Sequence, residues 1–140
     1  KGFDVDLLRE FDTRLNGYRA LAIVSIHNDS CEYINDQATG FKVARMATRI
    51  DAARALIQHA SELLDSGQRC TRLVSEAKLF ATEAAVEIAS DAVQIHGAYG
   101  YVEDLPVERY FRDARVGPIW EGTNEIQQQI ICRELGLYDE

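Results

Sequence analysis

Two runs of apolar residues return every third and fourth position without a break, and that rhythm commits the chain to helices. Val43, Met46, Ile50, Ala53, Ile57, Ala60 and Leu64 keep it for three heptads, which places them along one face of a long helix packed at a shallow crossing angle. Val74, Ala77, Ala81, Ala84, Ile88, Ala92 and Ile95 keep it again, and so many alanines predict close approach between helices. Earlier, Leu8, Phe11, Leu15, Tyr18 and Ala22 share a face. That first helix weakens at Asn28-Asp29-Ser30 and is expected to end near Asn35. No segment alternates with the period of two that a half-buried strand requires.

The punctuation between these runs sets the connections. Thr39-Gly40 reads as a turn, and Gly67 sits where a glycine just past a helix end would stop the second helix. Thr71 is the expected N-cap of a third helix running to His96. Gly97 to Leu105 reads as a loop, and Pro106 suits the first position of a short helix through about Ala114. Gly117-Pro118 disfavours helix, so Val116 to Gly122 should be irregular. Thr123 is the expected N-cap of a last helix, with Ile126 and Ile130 on its inner side and Gly136 as its stop. The expected fold is all-α: an up-and-down bundle of three long helices and two shorter C-terminal ones, forming a single domain over residues 1–140.

Charge and composition exclude several functions. The net charge of −8 repels phosphate backbones, which argues against nucleic-acid binding. Lysines and arginines are scattered, so there is no polybasic membrane patch. Cys31, Cys70 and Cys132 are isolated thiols, fitting neither a disulfide framework nor a zinc site. His27, His59 and His96 lack partner ligands at helical spacing, so no metal site is expected. There is no long apolar run of membrane-spanning length and no signal peptide, and the expected location is cytoplasmic, or the mitochondrial matrix in a eukaryote. The chain opens Lys1-Gly2-Phe3-Asp4 without an initiator methionine, and the expectation is a piece of a longer polypeptide.

Unusual chemistry is concentrated between Gln94 and Glu125. The third helix runs into Gly97-Ala98-Tyr99-Gly100, where small residues admit a flat ligand or another backbone. Gln94, one turn earlier, can hydrogen-bond a polar ring or a ribose. A C-cap followed by a tight turn explains the same residues without any ligand. In Trp120-Glu121-Gly122-Thr123-Asn124-Glu125 a carboxylate stands between a large aromatic residue and a glycine, just before a helix N-terminus. Burial against Trp120 would raise the pKa of Glu121 and the positive helix end would lower it. That opposition tunes an acid to act as a base near neutrality. Alternatively, Glu121 decorates a first turn as acids often do. The free N–H groups of the last helix are candidates to hold a phosphate or a ring oxygen.

Three ordered motifs carry a resemblance: Gln94-Ile95-His96-Gly97-Ala98-Tyr99-Gly100-Tyr101, then Pro106-Val107-Glu108-Arg109-Tyr110-Phe111-Arg112-Asp113-Ala114-Arg115, then Trp120-Glu121-Gly122-Thr123-Asn124-Glu125-Ile126-Gln127. With Met46-Ala47-Thr48-Arg49-Ile50-Asp51-Ala52-Ala53-Arg54 and Glu76-Ala77-Lys78-Leu79-Phe80-Ala81, they resemble the C-terminal helical domain of the acyl-CoA dehydrogenases, most closely from about Phe41 to Leu137. The resemblance implies FAD-dependent α,β-dehydrogenation of an acyl-CoA thioester. Glu121 matches the glutamate that removes the α-proton while the β-hydrogen leaves as hydride to the flavin. Gly122 would lie along the thioester. Thr123, Asn124 and Glu125 match a stretch that contacts FAD, and Gln94, Ile95, His96, Gly97 and Ala98 match the segment that reaches the FAD of a neighbouring subunit. That last match implies a homo-oligomer, a dimer or tetramer. Arg133 matches an arginine near the CoA end of the last helix, while Asp12 and Arg14 resemble a substrate-binding Asp/Arg pair with spacing one residue short. Electron transfer flavoprotein is the acceptor that the resemblance implies.

The chain also departs from that pattern. Between Tyr33 and Phe41 the family carries a longer connection with an Arg-x-x-Phe-Gly motif whose arginine grips the FAD pyrophosphate. Here only Ile34-Asn35-Asp36-Gln37-Ala38-Thr39-Gly40 stands there, without an arginine. The family also builds its flavin site against a β-domain and a further helical domain. Two readings follow: a domain of a catalytic acyl-CoA dehydrogenase that is inactive by itself, or a truncated, non-catalytic helical module used for oligomerisation or partner binding.

Overall fold

A computed structural model describes residues 37–138, and its regular structure is entirely helical: α1 (Gln37–Asp65), α2 (Thr71–His96), a short 3-10 helix (Gly97–Tyr101), α3 (Val107–Val116) and α4 (Asn124–Glu134). Among the described residues there are thus four α-helices. The helix expected around Leu8 to Ala22, with Asp12 and Arg14, lies outside the described residues.

The hub is α2, which packs against α1, the 3-10 helix, α3 and α4. The expected apolar seams are the ones buried: Met46, Ile50, Ala53, Ile57 and Ala60 from α1, with Val74, Ala77, Ala81, Ala84, Ile88 and Ala92 from α2. A second stripe of α2, Ser75, Lys78, Thr82 and Ala89, is buried too. Solvent therefore reaches the middle of this helix mainly along Glu83, Glu87, Ser90 and Gln94. Alanine makes this possible, since a helix enclosed on several sides can be approached closely only where its side chains are short. At the rim, Arg49 pairs with Glu87 at 2.5 Å and Arg45 with Asp91 at 3.7 Å, exposed contacts that add little stability.

The glycine stops act as expected. Gly67 takes φ +73°, its N–H donates to Leu64 O at 2.9 Å and that of Gln68 to Leu63 O at 3.0 Å, closing the end of α1. Gly136, at φ +69°, closes α4 the same way, with the Leu137 N–H on Cys132 O at 3.0 Å.

Several local expectations are corrected. Thr39-Gly40 is not a turn but part of the first turns of α1, which begins at Gln37. A helical glycine costs only about 1 kcal/mol relative to alanine, less than the periodic face beyond it returns. The residue capping α2 is Cys70 rather than Thr71, and its side chain makes no capping bond. Residues 97–101 are not irregular but a 3-10 turn, folded so tightly onto α2 that a Cβ on Gly100 would sit 2.7 Å from Val93 O. Pro106 precedes α3 as its cap, and the helix continues to Val116. On α4 the inner residues are Asn124 and Gln127, while Ile126 is 45% exposed. Polar partners on α2, described below, set that rotation.

Ile50 is 1% exposed in the α1–α2 seam. Ile50→Ala is expected to destabilise the fold by about 2–5 kcal/mol, read as a lowered urea midpoint at unchanged slope.

Candidate active site

Between α3 and α4 the chain turns sharply. Gly117 leaves α3 so close to α2 that a Cβ there would meet Thr82 Cγ2 and Ala114 O at 3.2 Å. The N–H groups of Ile119 and Trp120 donate back to Val116 O at 2.9 and 3.1 Å, and that of Asn124 donates to Pro118 O at 2.9 Å. Within this closed loop Glu121 adopts φ +50° and Gly122 φ +87°, and Glu121 is the one non-glycine residue at positive φ among the described residues. An L-residue in that region costs on the order of 1–3 kcal/mol and persists only where its surroundings impose it.

Those surroundings are a buried polar cluster. Lys78 is 0% exposed, and its Nζ donates to Gly122 O and to Asn124 Oδ1, both at 2.8 Å. Thr82 Oγ1 lies 3.1 Å from the same Asn124 Oδ1 and donates to Lys78 O at 2.9 Å. Gln127, 1% exposed, reaches Gly122 O with Nε2 at 3.3 Å. Gly122 is favoured by its φ of +87°, and a Cβ there would fall 2.8 Å from Gln127 Nε2 and displace that amide. Burial pushes the Lys78 ammonium below its ordinary pKa, and the charge of Glu125 works in the opposite direction.

Lys78, Thr82 and Gln127 were not singled out by the periodicity, which places polar residues outside. The available signal was their spacing: Lys78 and Thr82 are four apart, each beside an alanine of the buried face, Ala77 and Ala81.

The expected site residues fall into two groups. Glu121 is exposed, so the anticipated burial against Trp120 is not present. The left-handed backbone at Glu121 and Gly122 carries this residue away from the core. The positive end of α4 acts instead on Glu125. Its own backbone N–H, then the Thr123 hydroxyl, hold its carboxylate below the usual range, with Lys78 and Arg115 adding to the effect. The helix end is therefore less open to an anion than expected: the Asn124 and Glu125 N–H groups are both engaged. Thr123 is the N-cap residue but makes no capping bond through its side chain. Asn124 is buried with Oδ1 facing Lys78, so its side chain serves the loop from inside.

Gln94, Gly97 and Ala98 are exposed, and Ile95 and His96 half-buried, at the other end of α2. His96 holds its Nδ1 2.7 Å from Ala92 O, which fixes the ring against the helix. From Lys78 to Gln94 the helix advances about 24 Å at 1.5 Å per residue. The two segments are thus not brought together within one copy of the chain. Arg133 is exposed in the last turn of α4, about 14 Å along the helix from Asn124.

A depressed carboxylate pKa contributes stability above the unfolded value, here 4.5, that is lost as pH falls through the folded value. Denaturation of the native chain and of Glu125→Gln should therefore differ most near neutrality, with the native chain more stable. The gap should narrow on acidification below about pH 4.5 and close below the folded pKa; a gap independent of pH would refute the assignment.

Comparisons with known proteins identify the family and the fold. Residues 28–136 match the family model described as acyl-CoA dehydrogenase, C-terminal domain. The chain is 55% identical over 100 residues to an acyl-CoA dehydrogenase of Bacillus subtilis, a match covering 71% of this chain and 26% of the relative. Its structure superposes with a TM-score of 0.85 and 31% identity on butyryl-CoA dehydrogenase from Megasphaera elsdenii, over 94% of this chain and 35% of that one. It also matches, with a TM-score of 0.87 and 37% identity over 96% of this chain and 36% of the other, a chain from a solved structure described as electron transferring flavoprotein of Acidaminococcus fermentans. The match spans about a quarter of the Bacillus relative's length. The chain belongs to the acyl-CoA dehydrogenase family, of which it forms the C-terminal helical domain.

Proposed function

We propose that this domain works within an FAD-dependent acyl-CoA dehydrogenase and that Glu121 is the base that removes the α-proton of an acyl-CoA thioester. One observation carries the reading: an exposed carboxylate sits on a strained loop that a buried polar cluster holds in place. Strain of this kind collects where a side chain must be aimed at a reacting group. The carboxylate accepts the α-proton, and the pair of electrons left on the α-carbon forms the new double bond as hydride departs from the β-carbon. Bound FAD would supply the acceptor for that hydride. Closure of a thioester and neighbouring structure over Glu121 would strip it of water and raise its basicity.

The residues present fit a flavin on two counts. Gly97 has open space where a Cβ would be, at φ +57°, and Ala98 and Gln94 beside it are exposed, which leaves a low surface for a flat ring with an amide at its edge. Thr123 and Glu125 offer polar groups at the start of α4. The roughly 24 Å between these segments supports their serving different flavins, one of them bound by a neighbouring subunit, and hence a homo-oligomer. Arg133, well along α4 from Glu121, is placed to meet the nucleotide end of a long thioester, with Gly122 beside the acyl group. Asp12 and Arg14 are assigned to the same substrate by family likeness. The likeness to a structure described as electron transferring flavoprotein, and to a relative named as a subunit of a caffeyl-CoA reductase-Etf complex, supports such a protein as redox partner.

In the polypeptide carrying this domain, Glu121→Gln should leave FAD bound but slow flavin reduction by an acyl-CoA by about 10²–10⁴-fold. Unchanged reduction would place the base elsewhere. Absence of any flavin from the purified polypeptide would favour the non-catalytic module.

A further inference from the structure

We infer that Lys78 is a positioning residue for the reaction: it sets the reach of Glu121 by clamping the carbonyl of the very next residue. The inference rests on Glu121 being the base, as proposed above. Lys78 is wholly buried, and its ammonium is directed at two neutral acceptors, Gly122 O and Asn124 Oδ1, both at 2.8 Å. An ammonium in the interior of a helix bundle is costly unless its donors are satisfied. A lysine that only filled space would be replaced by leucine or methionine at a gain in stability. What distinguishes the lysine from such a residue is what its ammonium holds. Gly122 O belongs to the Gly122–Thr123 peptide, one residue beyond Glu121, so fixing that oxygen anchors the C-terminal side of the tight turn from which the Glu121 side chain departs. Asn124 Oδ1 belongs to the first residue of α4, so the same ammonium pins both sides of Thr123.

Two further features make the clamp directional. Gln127 reaches Gly122 O from α4 at 3.3 Å, so the carbonyl is approached by two donors, one from each helix. Thr82, one turn beyond Lys78, meets Asn124 Oδ1 at 3.1 Å. The carbonyl cannot rotate away without leaving a buried ammonium short of a partner. That penalty opposes relaxation of the positive φ at Glu121. Lys78 thus acts through the backbone on a residue it does not touch.

The test uses the flavin-loaded polypeptide and two variants, Lys78→Met, which keeps the bulk of the stem, and Asn124→Ala, which removes one acceptor and leaves Lys78 in place. Two measurements are made on each: flavin reduction by butyryl-CoA per bound flavin, and hydrogen exchange of the Ile119, Trp120 and Asn124 amides. Lys78→Met is expected to bind flavin, to lose about 100-fold in reduction rate, and to exchange these amides about tenfold faster, with α1 amides unchanged. Asn124→Ala should move both readouts the same way by less. Faster exchange without a rate loss, or a rate loss without faster exchange, overturns the inference. So does a loss of fold and flavin together in both variants, which would assign Lys78 to stability alone. If butyryl-CoA fails to reduce the unaltered polypeptide, that counts against the proposed activity only, and exchange at the loop still decides whether Lys78 holds it.

Discussion

A lysine ammonium enclosed in a helical bundle dictates how the second half of this domain packs. Lys78 lies, fully buried, in the third turn of the helix that every other described element contacts. Removing such a charge from water costs several kcal/mol, so the chain must bring oxygen atoms to it. Side-chain acids do not supply them. They come from a backbone carbonyl and an amide at the junction between the loop and α4. This fixes the height at which α4 docks on α2 and turns its polar residues Asn124 and Gln127 inward. Ile126 is left in solvent as a consequence. The apolar seam between α1 and α2 holds the domain together, but the buried cation determines where the loop goes.

How much of this could be read from the sequence depends on which force governs each element. The faces of α1 and α2 were legible because burial alone orders them, and Val43 to Leu64 and Val74 to Ile95 show the period plainly. Gly67 and Gly136 were legible because only glycine takes positive φ without penalty. The Thr39-Gly40 pair misled because a turn propensity is worth about 1 kcal/mol against a whole helical face. The inward rotation of α4 was not legible. Its cause is a hydrogen-bond network between residues more than forty positions apart, and a polar residue on a helix is ordinarily an exterior one.

Glu121 shows the same division. That the backbone around it is irregular was readable, since Gly117-Pro118 and Gly122 bracket it, and Glu121 takes a positive φ there. Its surroundings were not. The sequence alone predicts a carboxylate caught between burial and a helix dipole, whereas the structure separates those influences. Burial falls on Lys78, and the helix end falls on Glu125.

That separation has a chemical consequence. A base that must take a proton from carbon gains nothing from being held as an anion by a helix N-terminus, because every such interaction lowers its basicity. Glu125 occupies that helix end with its own N–H and the Thr123 hydroxyl, so α4 stabilises an acid other than the one proposed as the base. Glu121, four residues earlier, is oriented through the backbone instead. A constraint applied to a neighbouring carbonyl restricts where a carboxylate can go without adding a hydrogen bond to its oxygens. Fixing the position of a base while leaving its lone pairs available requires this kind of indirect hold, and a buried cation one peptide away is a means of achieving it.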